Sequence, residues 1–333
     1  MKAVVGFSGG VDSAVTTKLL QQAGHRVHGL YLDNAGAQAR REAETAAEHM
    51  GIELTVRDVK AELEEKVCRP FTESYLRGET PNPCILCNPA MKFRNLIALA
   101  DALGAECVAT GHYARAERGA LYKGLPANDQ SYMLCRLRRE QLQRLILPLG
   151  GYEKTWIRAM AAQWGLDAAH KPDSMEICFI PDKDYIHWLG ERAALPGPGD
   201  FVFHGQVIGQ HEGIHRYTVG QRRSGLYRGQ KLYVSRIDPV NNTVELALWE
   251  ELFQTELSVR DFNWLIDPPT GPIEASVRVR HTKREEPRCT ARVLGDRVEI
   301  RCQTPVRAPA PGQSAVLYDG DRVLGGGFIV NKA

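Results

Sequence analysis

Short apolar runs alternate with amphipathic stretches through the first half of the chain. "KAVVGF" has no polar break after its first residue, the pattern of a strand covered on both faces. "DSAVTTKLLQQAG" repeats apolar residues at helical spacing and closes on Gly24. "RVHGLYL" reads as a second strand, followed by the Ala/Glu-rich helix "AQARREAETAAEHMG", and "IELTVRDV" as a third strand. Next come a helical stretch, "LEEKVCRPFTESYLRG", a proline-rich loop with two cysteines, the helix "FRNLIALADALG" and the strand "ECVATGH". Repeated strand–helix units predict an α/β domain built on a parallel sheet with helices on both faces. Helical segments continue to about residue 193.

The pattern changes at "ALPGPGDFV", a Pro/Gly-rich boundary. Beyond it, short alternating runs stand between Gly and Asp turns: "KLYVSRID", "ASVRVRH", "CTARVLGDRVEIRC" and "SAVLYDGDRVLGGGFIV". Such runs predict small antiparallel sheets or a barrel. The division that follows is an α/β domain over residues 1–193, a small central connecting domain over 194–255, and an antiparallel β-barrel over 256–333.

The 333 residues are 43% hydrophobic and 25% charged, the balance of an ordinary globular protein with more than one core. A net charge of +2 neither demands nor excludes a nucleic-acid partner. No signal-peptide layout and no apolar run of about 18 residues is present, so a cytoplasmic, non-membrane protein is expected. Its eight cysteines are then reduced rather than paired as structural disulfides. Cys107 and Cys302 fall in strand-like apolar runs and read as core packing.

The chemistry begins at "GFSGGVDS", residues Gly6, Phe7, Ser8, Gly9, Gly10, Val11, Asp12 and Ser13, between the first strand and the first helix. Adjacent glycines let the backbone turn N–H groups toward an anion, and the helix start adds its positive dipole end. Ser8 and Ser13 supply hydroxyl donors. Asp12 suits a polyphosphate site if it helps to hold Mg²⁺. Neither a kinase-type P-loop nor a dinucleotide fingerprint is present. The loop resembles that of the PP-loop ATP pyrophosphatase superfamily, S-G-G-x-D-S. The resemblance implies cleavage of ATP between the α and β phosphates, adenylation of a carbonyl oxygen and later departure of AMP.

Further stretches occur in a telling order: "TPNPCILCNPAMKF", "ATGHYAR", "NDQSYML", "LILPLG…EKTWIRAMA", "DSMEICFIP", "GIHRYTVGQRRSGL" and "PGQSAVLYDGDRVLGGGFIV". Together they resemble the bacterial tRNA-specific 2-thiouridylase family (MnmA type) over nearly the whole chain. The resemblance implies a PP-loop (adenine nucleotide alpha hydrolase-like) domain, a central domain and a C-terminal barrel. It implies ATP-dependent 2-thiolation of the wobble uridine, position 34, of tRNAs for Lys, Glu and Gln, with a cysteine desulfurase, relay protein or sulfide as sulfur donor. Gly6 to Ser13 would cradle ATP, with Leu32 on the adenine side and Gly111 lining the nucleotide. Asn82, Pro83 and Cys84 would meet the target base, and His112, Asn128, Asp129, Gln130, Arg280, His281 and Gln313 would contact tRNA. Cys87 and Cys178 match the catalytic cysteines, Cys178 receiving sulfur as a persulfide and Cys87 freeing it by forming a disulfide. The default assembly is a monomer.

Two departures bear on mechanism. Cys84 stands where the family often has Asp, so Cys84, Cys87 and Cys178 offer three thiolates, a number that suits a [4Fe–4S] cluster with one open iron. Cluster and persulfide both remain open at this stage. The prolines bracketing Cys84 and Cys87 read as a loop, which argues against a thioredoxin-like motif opening a helix. The stretch after Leu32 is also shorter than the family usually carries. Residues 278–301 hold eight Lys/Arg against four Asp/Glu, and "QRRSGLYRGQK" adds four basic residues, as phosphate contacts would require. The competing functions are a PP-loop ligase acting on a small molecule and a non-catalytic, nucleotide-sensing tRNA-binding protein.

Overall fold

A computed structural model describes residues 1–34, 36–171, 177–180, 182–223, 229–281 and 286–331. Parts of "DSMEICFIP", of "QRRSGLYRGQK" and of the basic stretch after His281 lie outside the described residues. The chain forms two compact units. The first comprises residues 1–66, 84–181 and 321–323; the second comprises 67–83, 182–320 and 324–333.

The first unit is built on the expected parallel sheet. Its strands are β1 (Lys2–Gly6), β2 (Arg26–Asp33), β3 (Glu53–Asp58) and β4 (Cys107–Ala109), with β5 (Ala114–Glu117) and β6 (Ala120–Lys123) forming a side hairpin and β7 (Leu145–Ile146) completing the sheet. The order is β3-β2-β1-β4-β7, all parallel. β1 is central, and Ala3, Val4 and Val5 are fully buried, which is why that run carries no polar residue. Helix α1 (Val11–Gln22) follows β1, and α2 (Ala37–His49) follows β2. Val11, Ala14 and Val15 of α1 pack with Tyr113, Leu149, Ile157 and Ala161 in one core. Cys107 is buried in a second core with Ala3, Val5 and Phe7.

The cysteine segment departs from expectation. It is not a loop: Pro83–Cys87 is a helical turn, Asn88–Lys92 a π-helical turn, and Phe93–Leu103 an α-helix, in unbroken succession. Pro83 opens the first turn, and Pro89 lies in the first turn of the π segment. At the start of the run Pro83's missing N–H leaves no hydrogen bond unmade, whereas Pro89 lies inside it, where the missing N–H coincides with the wider π-helical turn. The cysteines therefore do open a helix, and the loop argument against a thioredoxin-like motif loses its basis.

The second unit holds two β structures. One sheet has β8 (Gly199–Phe203), β9 (Gln206–His211), β10 (Arg222–Arg223), β11 (Leu232–Asp238) and β12 (Thr243–Ala247) in the order β10-β11-β12-β8-β9. Its β12–β8 pairing is parallel, where antiparallel strands alone were expected. The other is a closed six-stranded barrel of β13 (Phe253–Trp264), β14 (Ile273–Arg278), β15 (Arg288–Leu294), β16 (Arg297–Arg307), β17 (Ser314–Asp319) and β18 (Arg322–Val330). The order β13-β16-β15-β14-β17-β18 is closed by antiparallel pairing of β18 with β13, which removes exposed edges. Cys302 faces Cys289 across the β15–β16 ladder, and both are buried in the barrel core. Residues 67–83 belong to this unit: Phe71 packs edge-on against Trp188 at 5.8 Å and Tyr75 stacks on Tyr185 at 5.2 Å. Among the described residues no helix is long and apolar enough to cross a membrane.

Candidate active site

The carboxyl ends of β1, β2 and β4 present the predicted nucleotide residues on one edge of the first sheet, the edge where open α/β sheets bind ligands. The Gly6–Ser13 loop leaves β1 and enters α1. It holds its shape by its own hydrogen bonds. The Ser8 N–H donates to Ser13 Oγ at 3.2 Å, and the Ser13 hydroxyl donates to the Gly10 carbonyl at 2.9 Å. Gly9 adopts φ +72°, and a Cβ there would stand 3.1 Å from Ala43 Cα, so conformation and space both call for glycine. The first N–H groups of α1 have no partner within the helix, which suits an anion. A cleft of about 370 Å³ opens beside Gly9, lined in part by Arg41, Glu42, Thr45 and Lys171.

Asp12, in the first turn of α1, is held from two sides. Lys154 Nζ lies 2.7 Å from each of its carboxylate oxygens, and the Tyr113 hydroxyl donates to Oδ1 at 2.7 Å. The Lys154 ammonium also lies 5.6 Å above the centre of the Tyr113 ring. Gly111 approaches the same point from β4. A Cβ on Gly111 would lie 2.8 Å from Asp12 Cβ and 3.0 Å from its carbonyl carbon, so the glycine allows the start of α1 to pack against it. Leu32 is half-buried near the end of β2, two residues beyond Leu30, the register partner of Gly6.

Cys178 reaches this edge as well. It is exposed, and Asn34 Nδ2, one residue past β2, lies 3.7 Å from its Sγ. Cys84 is exposed and Cys87 half-buried. Crowding by protein raises both thiols above their ordinary range, Cys87 to about 11; Lys92 opposes the rise, and the charge of Cys178 adds to it. The three cysteines thus sense one another electrostatically. Among the described residues no three His, Cys, Asp or Glu side chains stand close enough to hold a single metal ion, an arrangement distinct from a cluster whose thiolates bind separate irons.

Three family models cover the chain in succession: the tRNA methyl transferase HUP domain over residues 1–182, the tRNA methyl transferase PRC-barrel domain over 191–247, and the aminomethyltransferase beta-barrel domain over 254–329. The tRNA-specific 2-thiouridylase MnmA of Syntrophotalea carbinolica is 42% identical across 98% of this chain and 97% of that protein. That of Geobacter metallireducens is 41% identical across 98% and 96%. The chain belongs to the MnmA tRNA-specific 2-thiouridylase family. Among solved structures, a 4-thiouridine synthetase–RNA complex with bound ATP matches 57% of this chain and 50% of that one at 20% identity, with a TM-score of 0.37. That superposition is too loose to bear on function.

The residues that the resemblance assigns to tRNA in this family member differ in setting. His112 is half-buried, 2.7 Å from Thr110 Oγ1 through Nδ1, with its ring stacked on Phe93. Burial, then Lys92, hold its pKa well below 6.5, so the imidazole is neutral at neutral pH. In the second unit, the Arg280 guanidinium donates to the carbonyls of Val219 and Ala308 at 2.7 and 2.9 Å. The Gln313 amide donates to the Thr80 carbonyl at 2.8 Å, and the Thr80 N–H to the Pro311 carbonyl at 2.8 Å. These bonds anchor the chain just ahead of Asn82 and Pro83. His281 is exposed. On the outer face of β15 and β16, Arg288, Arg292, Arg297 and Arg301 are exposed, as strand alternation requires with Cys289, Ala291, Val298, Ile300 and Cys302 facing inward. Sequence reading missed Lys154, Tyr113 and Lys92. The available signal for Lys154 was a cation as the first residue of a helix, where the dipole disfavours it.

Proposed function

We propose that this chain is an ATP-dependent tRNA-uridine 2-sulfurtransferase acting on wobble position 34, by adenylation followed by persulfide transfer, in the cytoplasm. The observation that carries the reading is Cys178 beside Asn34, on the same sheet edge as the Gly6–Ser13 loop. A phosphate loop and a thiol on one edge are the two halves that thiolation of an activated carbonyl needs.

Gly6 to Ser13 would bind the phosphates of ATP, with Leu32 and Gly111 bordering the nucleotide and Asp12 available to Mg²⁺. Uracil O2 bonds to the α-phosphorus, the α–β bridge breaks and pyrophosphate leaves. The terminal sulfur of a persulfide on Cys178 then bonds to C2, and AMP departs with O2. Cys87, as thiolate, attacks Cys178 Sγ; the S–S bond breaks, 2-thiouridine is released, and a Cys87–Cys178 disulfide remains. A cellular dithiol resets the pair, and a cysteine desulfurase or relay protein reloads Cys178. Lys92 favours the thiolate that this attack requires.

For tRNA, the exposed arginines of β15 and β16, with His281, offer a phosphate-binding face, and Asn82, Pro83, Cys84 and His112 the base-proximal contacts. tRNAs for Lys, Glu and Gln are the expected substrates. The test is pyrophosphate release from ATP with and without unmodified tRNA. Release that requires tRNA and disappears in Asp12→Ala supports the reading; tRNA-independent turnover would favour a small-molecule ligase.

A further inference from the structure

The Gly6–Ser13 loop contains no lysine or arginine, and its one charged residue is an acid, Asp12. Its N–H groups and the hydroxyls of Ser8 and Ser13 are dipoles, so the loop alone brings no full positive charge to a triphosphate. A kinase-type P-loop carries its own lysine for that purpose. Here a lysine reaches the same place from elsewhere in the first unit. The helix Lys154–Gln163 lies against α1, its Ile157 and Ala161 packing with Val11, Ala14 and Val15. Lys154, the first residue of that helix, extends to Asp12 in the first turn of α1, with Nζ 2.7 Å from both carboxylate oxygens. This is the end of α1 whose first N–H groups have no partner within the helix. The Tyr113 hydroxyl fixes Asp12 Oδ1 at 2.7 Å, and its ring lies 5.6 Å from the same ammonium. The Lys154 side chain keeps 22% of its surface exposed, so a ligand at the loop can still meet it.

We propose that Lys154 is a catalytic residue of the adenylation step, its ammonium meeting the β- and γ-phosphates of ATP and the pyrophosphate that leaves, with Asp12 and Tyr113 as its positioning residues. When uracil O2 bonds to the α-phosphorus, the electron pair of the breaking α–β bridge passes to the bridging oxygen, which departs with pyrophosphate. Negative charge therefore grows on the leaving group. A cation already held in place stabilises that charge without reorganisation at the moment of reaction. Asp12 and Tyr113 supply the hold: two carboxylate oxygens and a ring fix an otherwise flexible four-carbon arm. The position also carries a cost that an ordinary surface lysine would avoid, since a cation at the start of a helix opposes the dipole. Stabilisation of a phosphate anion at the neighbouring start of α1 offsets that cost.

The proposal rests on the adenylation reading, and the experiment separates their failures. Affinities for ATP, inorganic pyrophosphate and AMP, each with excess Mg²⁺ and without tRNA, are measured by calorimetry on the full chain, on Lys154→Met and on Lys154→Gln. Lys154→Met should weaken ATP and pyrophosphate about tenfold or more, the scale of one charge-assisted contact, and leave AMP within about twofold. Lys154→Gln keeps a donor for Asp12 without the charge and should show the same pattern. It also carries the test should Lys154→Met not fold. A lysine that only holds the start of α1 in place would weaken all three ligands alike, because AMP depends on the same loop. Equal losses for AMP and pyrophosphate, or pyrophosphate affinity unchanged in the variants, overturn the proposal. If the parent binds neither ATP nor pyrophosphate, the adenylation reading and the proposal fall together. If it binds both and the variants match it, the proposal alone falls.

Discussion

The ammonium of Lys154 sits 2.7 Å from both carboxylate oxygens of Asp12, joining the phosphate loop to a helix that begins 142 residues later. Both side chains are largely covered, 22% and 33% exposed, and the Tyr113 hydroxyl completes the cage. Lys154 thereby supplies the charge that balances this half-covered carboxylate.

Because the two residues act as one unit, their substitutions should not add. Asp12→Asn and Lys154→Met are each expected to slow tRNA-dependent pyrophosphate release about tenfold or more, with the double variant little worse than the poorer single. A double-mutant cycle on that rate is the measurement. Strict additivity would show that the pair has no shared role.

Gly111→Ala places a methyl group 2.8 Å from Asp12 Cβ, against backbone that cannot yield cheaply. Overpacking of this kind costs about 1–3 kcal/mol. Chemical denaturation should register that loss, accompanied by weaker ATP binding because the start of α1 is displaced. Parent-like stability and ATP affinity would contradict the close approach.

Cys87 has its thiol raised to about 11, chiefly by burial, with Lys92 pulling the other way. A raised thiol pKa means little thiolate at neutral pH, so alkylation of Cys87 in the ligand-free chain should still be climbing at pH 9–10. Lys92→Met removes the cation that favours thiolate and shifts the profile to higher pH. Alkylation that levels off below pH 8, followed by mass spectrometry of the Cys87 peptide, would refute this electrostatic picture.

The exposed arginines on β15 and β16 should act on tRNA through charge rather than sequence. Replacing Arg292, Arg297 and Arg301 together by Gln should weaken tRNA about tenfold or more at low salt and flatten the dependence of affinity on salt. ATP binding without tRNA should be unaffected. An unchanged salt slope would move the tRNA surface elsewhere.

Much of this was legible in the sequence. The unbroken apolar run of β1 and the glycine-serine loop fix the parallel sheet and its binding edge, and the alternation around Cys289 and Cys302 fixes the barrel wall. What was not legible depended on context. Pro83 and Pro89 read as loop residues because proline breaks helices in their interior, yet Pro83 sits in the opening turn where it does no harm and Pro89 falls in a π-helical turn that keeps the run helical. Lys154 carried no phosphate-loop signature, and its partner is set by how two helices pack, a contact that periodicity does not encode. Residues 67–83 look continuous with their helical neighbours but pack on Trp188 and Tyr185, far along the chain.

The most direct measurement is nucleoside mass spectrometry of tRNA treated with the purified chain, ATP and a persulfide donor, beside Cys178→Ser and Cys87→Ser. The account predicts 2-thiouridine at position 34 with the parent chain, none with Cys178→Ser, and with Cys87→Ser tRNA held on Cys178 through a C2–S–S link in place of released 2-thiouridine. Thiolation that persists undiminished in Cys178→Ser would contradict the persulfide route, and absence of 2-thiouridine with the parent chain would contradict the assigned function.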